Sequence, residues 1–190
     1  MPRAVLCTCS AKGGGSNSFM ARCTKSLPGN DFDDRFDEAK NVTYIRAKQP
    51  VSREEIAELE QRFNFAFPPE FVEHYLLHNG GRPEAKYLVK DDVTFILRDF
   101  HPIKHGVPGC LFESVFFDVK VDRKLLPAHL VPFACDPGDD YFCFSTREED
   151  YGAIWMYRWD YYDEPDRAVE FLAGSLPEFL AALVAVDPHD

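Results

Sequence analysis

The sequence predicts an α+β fold: a single domain with a mostly antiparallel sheet of about six strands, two helices ahead of it and one helix closing it. Three observations carry this. Apolar residues recur at helical spacing between 51 and 77. From 86 to 173 the period drops to two, in short runs rich in β-branched and aromatic residues that turn formers separate. After 175 the helical period returns. Helices followed by a block of strands indicate segregated layers, with the sheet built from hairpins. A chain of 190 residues with 17 phenylalanines suits one such core.

The first 49 residues read as an N-terminal extension, basic and Gly/Ser-rich and then acidic, and partly disordered. Residues 1–28 hold Arg3, Lys12, Arg22 and Lys25, no acid, and the run KGGGSNS, which has little to bury. Such a stretch is expected to be a poorly ordered tail, or an upstream start used in place of Met20. The segment 31–40, DFDDRFDEAK, is a charged lead-in whose Phe32 and Phe36 share a face if it is helical.

The domain is expected over 50–187. In VSREEIAELEQRF, Ser52 and Glu55 form a capping box, and Val51 and Ile56 stand where a hydrophobic staple needs them. Ile56, Leu59 and Phe63 continue the stripe. A second helix opens in FPPEFVEHYLL, where a proline in the first turn sacrifices no hydrogen bond. Phe71, Val72, Tyr75 and Leu76 give its buried face. HNGG at 78–81 stops it, because Asn and Gly tolerate left-handed backbone. Strands are expected at 86–90, 93–97, 114–119, 130–135, 141–145 and 153–157, with 167–173 a further candidate. The closing helix, SLPEFLAALVAV, repeats the capping box at Ser175 and Glu178. Its predicted stripe is Leu176, Phe179, Leu180, Leu183 and Val184.

The formal net charge is −11. Residues 1–28 contribute four bases and no acid, so the other 162 residues carry 17 basic and 32 acidic side chains, a net of −15. That field opposes nucleic acid as a partner and favours a basic protein, although acidity also serves solubility alone. No segment reaches the length of a membrane span, and the N-terminal apolar run is too short for a signal peptide. The six cysteines show no CxxC spacing. A cytoplasmic protein with free thiols, no membrane contact and no cofactor is the expectation.

The blocks just described resemble the SUKH superfamily, which takes in the fungal Smi/Knr cell-wall regulators and many bacterial immunity proteins. The resemblance rests on Glu60, Phe67, Pro68, Glu70, Phe71, Leu76, Asn79, Gly80 and Gly81 in the opening helices. LVPFACDPGDDYFCFS is similar to the family's central strand, turn and strand, GAIWMYRWDYYDE to its aromatic strand, and LAGSLPEFLAAL to its closing helix. Together they cover about 50–186. Phe67 replaces a usual leucine, Asp139 and Asp140 stand where a glycine often begins the second strand, and 98–129 is longer than the family pattern. The resemblance implies a binding domain without catalysis. It implies an immunity protein that neutralises a cognate toxin delivered by contact-dependent or type VI secretion. The alternative is a regulatory scaffold or adaptor like the fungal relatives. If the toxin is a nuclease, an acidic face would mimic its substrate.

Several residue sets invite a chemical reading. CDPGDDYFCF places Asp136, Asp139 and Asp140 between Cys135 and Cys143, yet DPGD is a turn sequence, with proline preset and glycine suited to the positive φ of a type II turn. Matching positions in a hairpin would let the two thiols approach, but two further zinc ligands are missing. His101 and His105 are four apart beside Pro102 and Gly106, which favour a loop over a metal-binding helix. Cys110 reads as a buried, inert thiol. No nucleophile, base and oxyanion donor assemble, so no catalytic residue and no metal site are assigned. What remains is surface. Asp139, Asp140, Glu148, Glu149, Asp150, Asp160, Asp163 and Glu164, with Asp166 nearby, flank Trp159, Tyr161 and Tyr162. Rings that anchor and carboxylates that steer are what an interface for a basic protein uses. The competing reading is that Trp155 and Trp159 face the core and the acids form a solvated loop.

Overall fold

The computed structural model describes residues 43–187, and the expectations for 1–28 and 31–40 lie outside the described residues. Strand β1 (Tyr44–Ile45) leads to α1 (Arg53–Phe63), which starts as its sequence dictates. The Ser52 side chain accepts from the Glu55 N–H, and the Glu55 carboxylate accepts from the Ser52 N–H at 3.0 Å. Glu60 then turns its carboxylate to the Phe67 N–H at 2.7 Å, tying α1 to the turn that opens α2 (Pro69–Leu77). Phe71 and Tyr75 of α2 are fully buried, with Val72 and Leu76 packed at the margin. The helix ends at an extended His78, and the left-handed residues come later, at Gly80 and Gly81.

Strand β2 (Arg82–Pro83) pairs with β1. Strands β3 (Tyr87–Lys90) and β4 (Val93–Ile96) form a separate hairpin. The main sheet is antiparallel throughout, in the order β5 (Asp99–Phe100), β6 (Leu130–Cys135), β7 (Tyr141–Ser145), β8 (Ile154–Tyr157) and β9 (Val169–Ala173). Strand alternation sends β7 to two cores at once. Phe142 and Phe144 meet Phe71, Phe133 and Phe179 on the face that α1, α2 and the closing helix cover. Tyr141 and Cys143 face the other side, with Leu130, Val119, Leu126 and Tyr157. All six residues of β6 are buried, as expected for a strand covered on both faces.

One strand expectation is overturned. Residues 114–119 lie in α3 (Phe112–Phe116) and a π-helical continuation, Phe117–Asp122. The run SVFFDV is rich in β-formers, but its burial pattern is helical. Phe112, Val115, Phe116 and Val119 are buried at i, i+3, i+4 and i+7. Phe112 and Phe116 enter the first core while Val115 and Val119 enter the second, so this segment joins the two.

The closing region is shorter than expected. A single-turn helix, α4 (Pro165–Ala168), precedes β9, and α5 spans only Leu176–Ala181. Ser175 caps α5 by accepting from the Glu178 N–H, but Glu178 reaches back to the Gly174 N–H, one residue before the predicted partner. Leu176, Phe179 and Leu183 are buried, whereas Val184 leaves the stripe and its backbone pairs with Tyr87. No helix among the described residues is long and apolar enough to cross a membrane.

Two hairpin turns place aspartates in left-handed backbone. Asp91 and Asp92, at φ 48° and 64°, form the β3–β4 connection, a geometry that favours Asn-Gly. Asp92→Gly is expected to raise stability by about 0.5–1 kcal/mol, read as a higher denaturation midpoint. The DPGD hairpin is also corrected in type. Gly138 is not left-handed, and Asp139 takes φ 67° in its place. The Asp136 carboxylate accepts from the Gly138 and Asp140 N–H groups at 2.7 and 2.9 Å, which holds Gly138 in the first bend and pushes the positive φ to the next residue.

Candidate partner-binding surface

The β6–β7 hairpin delivers Asp139 and Asp140 to the end of β8, where Tyr141 pairs with Tyr157 and the chain continues into 158–164. Asp140 is built into this junction. Its carboxylate accepts from the Trp159 N–H at 2.7 Å, and partial burial raises its pKa. Asp139 is largely exposed and pairs with Arg98 at 2.9 Å. The three rings that follow are not equivalent. Trp159 is half-buried beneath the Arg123 guanidinium, 4.1 Å from the ring centre. Tyr161 packs on the second core with Arg167 above it at 4.1 Å, and Glu164 holds that arginine with both oxygens at 2.8 and 3.0 Å. Tyr162 is 63% exposed. Asp160 and Asp163 are exposed and have no ion pair among the described residues.

Glu148, Glu149 and Asp150 lie elsewhere. They occupy the β7–β8 connection, at the start of β8, while 159–164 follow its end. A four-residue strand puts roughly 13 Å between those ends, so the predicted acidic set divides into two clusters. Asp150 is spent internally. It accepts from Ser145 Oγ at 2.6 Å, from Arg147 Nε and Nη2 at 3.0 and 2.6 Å, and from Trp155 Nε1 at 3.1 Å. The Arg147 guanidinium holds its carboxyl below the usual range. Glu148 and Glu149 remain exposed, the latter 3.8 Å from Arg147. The two tryptophans, both placed in the core by the competing reading, differ in position. Trp155 packs against the second core, and Trp159 sits at the boundary between core and solvent.

The arginines Arg123 and Arg167 were missed by sequence reasoning. Arg167 stands three residues after Glu164, a spacing that signals an ion pair on one helical turn. Arg123 comes from the far side of the π-helical segment and has no local signal.

The remaining candidates separate in space. Cys135 and Cys143 do not face each other, because the register sets Cys143 opposite Pro132. Cys135 Sγ accepts from Arg98 Nη2 at 3.0 Å, and burial pushes its pKa up to about 11. Cys143 is enclosed in the second core, and burial raises its pKa too. Cys110, expected to be buried, is exposed, carried outward on a loop that Gly109 turns with φ 77°. His101 is buried while His105 lies 3.9 Å from Glu55. No group of three or more metal-ligating side chains comes together among the described residues.

No curated protein matches the chain closely enough to count as a relative. A family model does match, that of the SMI1/KNR4 family (SUKH-1), over residues 50–182. The match takes in the capped α1, the Glu60–Phe67 tie, the buried Asn79 and the five-stranded sheet through α5. On that evidence the chain belongs to the SMI1/KNR4 family, SUKH-1.

Proposed function

We propose that this protein is an immunity protein. It acts in the cytoplasm, binds a cognate secreted toxin of basic character, and blocks it by covering its active site without chemistry of its own. The observation that carries this reading is the 159–164 cluster. There Tyr162 projects from a base of arginine-capped rings, with the unpaired carboxylates of Asp160 and Asp163 on either side. An exposed ring on a rigid base loses little entropy on docking, and free carboxylates steer a cationic partner toward it. The strongly negative charge of the chain acts in the same direction at longer range.

The test is co-purification with the product of the adjacent gene, followed by rescue of growth when the two are co-expressed. Rescue with a tight complex supports the proposal. A non-toxic neighbour, or several weak partners in its place, favours a scaffold of the fungal type. Within a complex, Asp160→Lys with Asp163→Lys is expected to weaken binding by at least about tenfold and to flatten its salt dependence. Tyr162→Ala is expected to act mainly on dissociation. Surface-plasmon kinetics at two ionic strengths checks both.

A further inference from the structure

A cleft of about 320 Å³ opens between the segment carrying Arg46 and Lys48 and the chain from Arg98 to Cys110. Three cations line it, Arg46, Lys48 and Arg98, against two carboxylates, Asp99 and Asp139. An excess of positive charge is unexpected in so acidic a chain. Arg98 is engaged by Asp139 and Cys135, whereas Arg46 and Lys48 are exposed and without an ion pair among the described residues. Arg46 also holds a left-handed φ of 63°, a strain that structures tolerate at ligand clamps.

The walls are fixed. Asn79 donates to the Gln49 and Ile103 carbonyls at 2.8 and 2.9 Å and accepts from the Ile103 N–H at 2.8 Å, so one side chain clasps both sides. Gly81, itself in the lining, lets the 45–47 backbone approach so closely that an added Cβ would lie 2.7 Å from Ile45 O and Ala47 N. Among the lining residues His101 is buried. Its ring bonds to the Cys110 backbone, and its Nε2 has no partner. A neutral imidazole that donates through Nδ1 leaves Nε2 as a bare acceptor.

We propose that this cleft binds a monocarboxylate that carries a neighbouring N–H or O–H donor: the carboxylate on Arg46 and Lys48, the donor toward His101. Asp99 and Asp139 disfavour a dianion such as phosphate, because one positive charge in excess balances a single negative one. The ligand is a free acid or chain terminus, or an acidic side chain of a bound protein.

Amide NMR of the full chain tests this with two monoanionic probes, N-acetylglycine and acetyl-aspartyl amide, beside neutral N-acetylglycinamide and inorganic phosphate at equal ionic strength. Saturable shifts at Gly81, His101 and Cys110 with either monoanion are expected, and the better probe identifies the source. Arg46→Ala with Lys48→Ala should weaken binding about tenfold while the rest of the spectrum is unchanged. Failure of both monoanions to give saturable shifts overturns the proposal. So does equal binding of the neutral probe, tighter binding of phosphate, or binding unaffected by the double substitution.

Discussion

Acidification from about pH 6.5 to about pH 4.5 is expected to destabilise the protein by roughly 5 kcal/mol through two histidines. His74 is stacked on Phe100 at 4.5 Å, with Tyr44, Tyr75 and His78 as its other ring neighbours, and burial lowers its pKa to about 3. His101 is lowered to about 4, chiefly by burial and then by Arg98, with the hydrogen bond to the Cys110 backbone and then Asp139 opposing. In the unfolded chain both titrate near 6.5. Between those values the unfolded state binds more protons, so stability rises with pH. The contribution is complete above about 6.5 and is lost as pH falls toward 4 for His101 and 3 for His74. Each histidine supplies a slope of about 1.4 kcal/mol per pH unit. His78 and His129, both lowered by burial, add in the same sense. Urea denaturation in pH steps checks this. His74→Phe, which removes an Nε2 that has no partner, should reduce the slope by about half. A flat profile over this window would contradict the burial of both rings.

Asn79→Ala is expected to cost about 2–4 kcal/mol. The asparagine is 1% exposed and its three hydrogen bonds satisfy backbone groups on two separate segments. Alanine leaves the buried Ile103 N–H without an acceptor, which costs about 1–3 kcal/mol, while the Gln49 and Ile103 carbonyls each lose one donor, the latter keeping the His105 N–H at 2.6 Å. Some of that loss is recovered where water reaches Gln49, which is exposed. Asn79→Asp is the stricter test. It keeps the shape but turns a donor into an acceptor facing two carbonyls, so it should be at least as damaging. Denaturation midpoints of the two variants decide the matter, and a loss below about 1 kcal/mol for either would remove the clasp from the account.

The same asparagine shows how far the sequence can be read. The two opening helices, five of the predicted strands and the start of the closing helix were legible because each carries a local signal: a capping box, a period, a turn sequence. NGG was legible only as a helix stop. Its larger role, binding segments some thirty residues upstream and twenty-four downstream, depends on contacts that no local pattern encodes. The strand expected at 114–119 failed for a related reason. A window opening at Ser114 omits Phe112, and without it the helical stripe loses its first member. Closing-helix positions beyond Ala181 followed the stripe on paper, but the backbone of Val184 is taken by Tyr87. The acidic and aromatic residues were found by composition. Their division into one cluster whose Asp150 is spent on Arg147, Ser145 and Trp155 and another that exposes Asp160 and Asp163 could be seen only once β8 separated them.

The occlusion proposed for a cognate toxin is stoichiometric, and titrating that toxin's activity with the purified chain tests it most directly. Inhibition should grow linearly and break at one chain per toxin, and the Asp160→Lys, Tyr162→Ala, Asp163→Lys variant should shift or abolish the break. Complete loss of toxin activity at a small fraction of an equivalent would mean that the chain turns over, and would contradict the account.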